Sequence, residues 1–378
     1  MHLLQPAKHL GSPIGHAIRR LNSLGNHQLP CQTSIRLLRQ TRLQHNRPPR
    51  HSQSEPIYNS RTQRPHIRHD PDHIVHRVPG TDQYIQDINW EAARKRAKYL
   101  RTGIFAVVFS AGIFISAAWY QAKKELHPKP APAPAYFRGE RRGPIPIQEF
   151  PRLYWSTLDP ISKLSIGIIG VNGANHLYGL LLPKQWLGMW HTPVNGTYRT
   201  LVSSIFVHGG FMHLGVNMWA CYNFLLPVGY SKLFEGNPAH TLSFFLASGV
   251  LSSWAQHAVT RFENAPKALA AGRVPSIAIR SGGASGALFA VFGAFCMEYP
   301  NAGVGIILLP FSVAASSFLP FVMAFDAYGM VFGIRGLNLG HAAHLSGALL
   351  GVGYSYFDGK NKIWKPLVLS FKGAMEKK

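Results

Sequence analysis

The sequence predicts an all-helical membrane protein: a six-span helical core preceded by one additional N-terminal transmembrane helix and a disordered basic N-terminus. Three observations lead there. Overall the 378 residues are 46% apolar and 15% charged, but that average joins two unlike parts, a polar, basic first hundred residues and a mostly apolar stretch over 161–357. Gly103 to Tyr120 carries no charge and ends in Trp119-Tyr120 before Lys123 and Lys124, which is the apolar core, interfacial aromatics and flanking cations of a bilayer-crossing helix. Six further apolar stretches follow, with charges gathered in the loops between them.

Residues 1–70 read as a transit peptide and disordered basic segment. No Asp or Glu precedes Glu55, whereas Lys8, Arg19, Arg20, Arg36, Arg39, Arg42, Arg47 and Arg50 do, and Arg, Ser and Leu without acidic residues compose an organellar targeting segment. Residues 44–90 have few aliphatic side chains with which to build a core. Over 71–126, a basic juxtamembrane helix from Trp90 to Arg101 runs directly into the first transmembrane helix. Residues 127–160 form a Pro-rich linker, where alternating prolines favour an extended spacer. The six-span core occupies 161–358, with spans near Ile161–Pro183, Leu201–Leu226, Thr241–Val259, Gly283–Tyr299, Ser312–Phe332 and Gly340–Phe357. A basic tail closes the chain at 359–378.

The formal charge of +23 invites a nucleic-acid partner, but its concentration in the targeting-like segment argues for none. Cys31, Cys221 and Cys296 are odd in number and widely spaced, so no disulfide framework is expected. No His-Glu-x-x-His occurs, which argues against a zinc protease.

Three segments carry chemistry. Phe206 to Trp219 contains His208, His213 and Asn217; Ser281 to Phe289 contains Gly283, Ser285, Gly286 and Phe289; Leu339 to Leu350 contains His341 and His344. They open or lie in the second, fourth and sixth core spans. Alternate spans of a serial bundle run in the same direction, so Ser285 and His344 start parallel helices on one side of the membrane. His213 and Asn217, four apart, share one helix face. A nucleophilic serine needs a base within hydrogen-bond reach and donors aimed at the developing oxyanion. Ser285 fits the first role and His344 the second. His213 and Asn217 fit the third, beside the Ser285 backbone N–H at a helix N-terminus. Gly283 and Gly286 allow close backbone approach, and Phe289, one turn below Ser285, is placed to pack on the His344 ring. Ala343, Gly347 and Gly351 form a small-residue packing stripe. Asp326 is set aside as a third member, because it falls well after the start of the oppositely running fifth span.

Taken together, His213-x-x-x-Asn217, Gly283-x-Ser285-Gly286 and Ala343-His344-x-x-Gly347, in that order, resemble the rhomboid family of intramembrane serine proteases. His208 matches the family's second-span pattern as well. The resemblance covers about 190 to 357. It implies a six-helix rhomboid-like core in which Ser285 is nucleophile, His344 base, and His213 and Asn217 line the oxyanion hole, with no metal and no cofactor. It further implies single-span membrane proteins as substrates, cut within or beside the bilayer where their helices unwind easily. The extra helix and transit-like N-terminus are similar to the mitochondrial inner-membrane members, which process inner-membrane precursors, and imply that multi-pass location. Two positions depart from the family: Tyr198-Arg199 stands for its Trp-Arg in the first core loop, and Phe289 replaces a common Tyr. A catalytically inactive client-binding relative and a membrane transporter are the competing readings. The Gly-rich loop Gly333 to Gly340 is a candidate cap over the site, and the facing of the site is open.

Overall fold

A computed structural model describes residues 89–128, 146–270, 273–305, 311–334 and 339–377. The expected transit segment over 1–70, Cys31, residues 129–145 of the Pro-rich linker and the centre of the candidate cap loop lie outside the described residues.

Helix α1 (Trp90–Ala97) begins where Asn89 accepts a hydrogen bond from the Ala92 N–H at 3.0 Å, one of the free donors that a helix start must satisfy. It stops at Lys98, whose φ of 52° is left-handed. The expected continuous helix is therefore interrupted at that residue, with α2 (Tyr99–Leu126) following directly. A short helix α3 (Phe150–Thr157) precedes α4 (Pro160–Leu181), which Asp159 caps by accepting from the Ile161 and Ser162 N–H groups at 2.9 and 2.8 Å. Then come α5 (Pro183–Leu187), a 3₁₀ turn at Pro193–Asn195, and α6 (Thr200–Ser203).

The second expected span starts later than its hydropathy predicted. Residues 201–210 form α6, a 3₁₀ turn at Ser204–Phe206 and an extended approach. The helix α7 (Phe211–Gly229) begins after Gly210, at φ 153°. Hydropathy does not register a backbone break, so the apolar run looked continuous. As a consequence His213 sits on the first turn of its helix and not deep within it.

The remaining elements are α8 (Pro238–Val259), α9 (Ala265–Ala270), α10 (Ser285–Glu298), a two-residue antiparallel pair β1 (Gly303–Val304) with β2 (Val313–Ala314), α11 (Ala315–Phe332) and α12 (His341–Tyr356). A π-helical segment, Lys360–Trp364, leads into α13 (Lys365–Glu376). The basic C-terminal segment is thus helical, and Trp364 and Val368 bury against Ala118 and Ala122 of α2. Among the described residues, the stretch 90–126 and α11 are long and apolar enough to cross a bilayer, while α10 is shorter.

Helix α10 lies at the centre, packed on α7, α8 and α12, while α2 lies on α8 and α11 chiefly on α12. Small residues set these distances. A Cβ on Gly347 would stand 2.2 Å from the Gly286 carbonyl oxygen, and one on Gly351 would stand 2.0 Å from that of Ala290. The two backbones touch because nothing projects between them. On the other flank, Gly103 lies under the Trp254 ring and the Ser110 hydroxyl donates to the Ala247 carbonyl at 3.3 Å.

Gly351→Val is expected to lower the thermal midpoint of the detergent-purified protein, at a cost of at least the roughly 1–3 kcal/mol typical of overpacking. Gly353→Val, two residues on, meets nothing within 4 Å and is the control. Equal midpoints for the two variants would contradict this account of the α10–α12 contact.

Candidate active site

Ser285 is the first residue of α10, so its backbone N–H precedes the helical ladder and has no partner within it. The strand leading to it is tied on both sides. Ser281 exchanges backbone hydrogen bonds with His191 at 2.8 and 3.0 Å, and the Gly283 N–H donates to the Ser204 carbonyl at 2.8 Å. Gly283 takes φ 136°, and a Cβ there would meet the His213 ring at 2.8 Å. Position 283 therefore needs glycine twice, for its backbone and for the imidazole beside it.

His344 is on the first turn of α12, where its Nε2 lies 2.9 Å from the Ser285 Oγ. Phe289 stacks on its ring at 4.2 Å between centroids and 6° between planes. With no hydroxyl at 289, the contribution of this residue to holding the ring is the stacking contact. At the start of the same helix, Gln256 Oε1 of α8 accepts the Ala343 N–H at 3.2 Å. Sequence reasoning did not single out that glutamine.

His213 Nδ1 accepts the Gly209 N–H at 3.3 Å. An accepting Nδ1 leaves the proton of a neutral imidazole on Nε2, and Nε2 is the atom beside Gly283 and Ser285. His208 packs edge-on against His213 at 5.0 Å and accepts the Ala284 N–H at 3.3 Å through Nε2. Asn217, one turn along α7, donates to the His213 carbonyl at 2.8 Å. Among the described residues it makes no hydrogen bond to Ser285 or His344. Gly286 packs against Ser252 of α8, where a Cβ would stand 2.7 Å from that residue's own.

Asp326 requires a correction: its place well after the start of the fifth span argues against a third member, yet its Oδ1 is 2.7 Å from His341 Nδ1 and 3.4 Å from His344 Nδ1. The error lay in measuring depth from the start of α11. Helices α11 and α12 are consecutive, so the end of the first adjoins the start of the second. Asp326 lies six residues before that end and His344 three after the start of α12. At 1.5 Å per residue these are depths of about 9 and 4.5 Å, a difference a side chain spans.

A second polar group, unnoticed in the sequence, braces the approach to Ser285. His191 bonds Thr200 Oγ1 at 2.8 Å through Nδ1 and His257 at 2.9 Å through Nε2. Burial pushes the His191 imidazole down to about 3, with His257 adding to the shift, so the ring is neutral at physiological pH. Tyr198, the departure in the first loop, stacks on Phe105 of α2 at 5.8 Å. Among the described residues, no group of three or more His, Cys, Asp and Glu is arranged to hold a metal ion.

Residues 195–361 match the family model of the rhomboid domain. The chain is 32% identical over 217 residues to presenilin-associated rhomboid-like protein A, mitochondrial, of Danio rerio, covering 56% of this chain and 52% of that protein. It is 32% identical over 224 residues to the Bos taurus presenilin-associated rhomboid-like protein, covering 57% and 54%. To rhomboid protein 1, mitochondrial, of Saccharomyces cerevisiae it is 30% identical over 210 residues, covering 52% and 54%. The chain thus spans about half the length of the curated relatives it matches. The matched domain holds all three segments of the site: residues 195–361 form a rhomboid domain, and the chain is similar to rhomboid-like proteins named as mitochondrial.

Proposed function

We propose that the chain is an intramembrane serine endopeptidase in which Ser285 is the nucleophile and His344 the general base. The observation that carries this reading is the 2.9 Å contact between Oγ and Nε2, made between two helices by residues 59 positions apart in sequence. In the reaction, Ser285 Oγ attacks the scissile carbonyl as its proton passes to His344 Nε2. The Ser285–carbonyl bond forms, and the carbonyl oxygen becomes an oxyanion. The His213 Nε2–H and the Ser285 backbone N–H are its donors, and Asn217 keeps a second amide hydrogen for the same oxygen. His344 then returns the proton to the leaving amine as the C–N bond breaks. Water, deprotonated by the same imidazole, releases the acyl group and restores Ser285.

The seven-span arrangement belongs to this reading: the 90–126 stretch forms one span, and α4, α7, α8, α10, α11 and α12 form the six-span core. A substrate helix offers no reactive amide while its carbonyls are bonded internally. The substrates are therefore single-span inner-membrane proteins and precursors whose helices unwind near the cut.

Labelling of the purified protein with a fluorophosphonate tests the dyad. Labelling is expected for the wild type and absent for Ser285→Ala and His344→Ala. Folded wild-type protein that takes no label, while cleaving no transmembrane reporter in proteoliposomes, would favour an inactive client-binding protein or a transporter.

A further inference from the structure

We propose that Asp326 is a positioning residue for His344, a role that rests on the protease reading above. Its carboxylate accepts the Nδ1–H of His344, fixing the tautomer whose Nε2 is free to take the Ser285 proton. The same carboxylate faces the positive charge that the imidazole then acquires.

Burial makes the carboxylate costly unless it is used. Asp326 is 2% exposed, and an intramembrane carboxylate needs hydrogen-bonded partners to be tolerated. Its neighbours are two imidazoles three positions apart on one face of α12: His341 Nδ1 is hydrogen-bonded to Oδ1, and His344 Nδ1 lies 3.4 Å from the same oxygen. An acceptor-only oxygen between two Nδ1 atoms assigns the proton of each neutral ring to Nδ1. For His344, that leaves Nε2 as the acceptor, which is the atom facing Ser285.

His341 is the tighter partner, at 2.7 Å against 3.4 Å. It is wedged over Gly329, where a Cβ would stand 2.5 Å from its ring, and its Nε2 is buried with no hydrogen-bond partner among the described residues. His341 thus anchors the carboxylate while the contact to His344 stays long in the resting state. That contact is the one able to tighten when His344 becomes charged, since charge-assisted hydrogen bonds are shorter. The titratable groups facing His344 are Asp326, His341 on its own helix and His213, with His208 behind it. Asp326 is the acidic one among them.

The test compares cleavage of a transmembrane reporter in proteoliposomes and fluorophosphonate labelling rates for several variants of the full chain. Asp326→Asn is expected to lower kcat by up to about 10⁴-fold, the loss on amide replacement of a histidine-orienting carboxylate, with KM unchanged. Labelling of Ser285 should slow by the same factor, and Asp326→Asn should add nothing to His344→Ala. Asp326→Glu should recover part of the loss. To separate chemistry from folding, Asp326→Leu with His341→Phe removes the hydrogen-bonded pair together, so that neither of those two groups is left buried without its partner, and should be as slow as Asp326→Asn. Wild-type kcat in Asp326→Asn or in the apolar pair would overturn the proposal, as would a loss that adds fully to that of His344→Ala. A wild type that cleaves while Asp326→Asn cleaves equally sinks this inference alone. Cleavage that survives Ser285→Ala sinks the protease reading and this inference with it.

Discussion

Ser285→Ala and His344→Ala are each expected to abolish cleavage of a transmembrane reporter, by about 10⁶-fold in kcat, with the double variant no slower than either single one. The size follows from losing a nucleophile or its base, and the lack of additivity from their acting as one unit. The hydroxyl is inert as a nucleophile unless its proton has somewhere to go. The acceptor for that proton is 2.9 Å away on α12, and no other base is bonded to the Ser285 Oγ among the described residues. Residual activity in the single variants would reflect only donors and binding. Proteoliposomes carrying each variant, matched for folded protein, provide the measurement. A double variant markedly slower than both singles would mean that the two side chains act independently, which the geometry does not allow.

His213→Ala is expected to lower kcat by about 10²- to 10³-fold with little change in KM. That is the cost of removing one preorganised oxyanion donor, about 3–4 kcal/mol of transition-state stabilisation. The reasoning begins with a hydrogen bond on the far side of the ring. Because Nδ1 accepts from the Gly209 N–H at 3.3 Å, Nε2 carries the proton, and it does so beside Gly283 and Ser285. His213→Gln, which can still present a side-chain N–H, should recover part of the loss. Asn217→Ala should cost less, because the Asn217 amide is bonded to the His213 carbonyl at 2.8 Å and part of its value lies in that brace. If His213→Ala raised KM and left kcat intact, the ring would be a substrate-binding group and not an oxyanion donor.

The motif residues were legible because their chemistry and their spacing survive projection onto one dimension. Ser285 after Gly283 marks a helix start, His213 and Asn217 share a face, and the parity of spans sets the serine and the base on the same side. The packing stripe of Ala343, Gly347 and Gly351 was equally plain, since small residues at every fourth position have one use between close helices, and α10 and α12 do cross at backbone contact. What escaped was geometry that depends on where helices begin and bend. Gly210 and the turn before it were hidden inside an apolar run, and Lys98 broke a helix that composition alone would have continued. Asp326 was misjudged because depth along a helix has meaning only relative to the neighbour it meets.

Residue type and periodicity determine that this chain forms apolar helices and which side chains can act as nucleophile, base and donor. Those properties are local: they follow from the solvation of each side chain and from the 3.6-residue turn. Distances between α7, α10, α11 and α12 are not local. They arise from glycine-mediated contacts, from the tie between His191 and Ser281, and from the antiparallel return of α11 into α12. A buried carboxylate's partners therefore emerged only with the packed bundle, because hydrogen bonding is decided over a few tenths of an ångström that no spacing in the chain encodes.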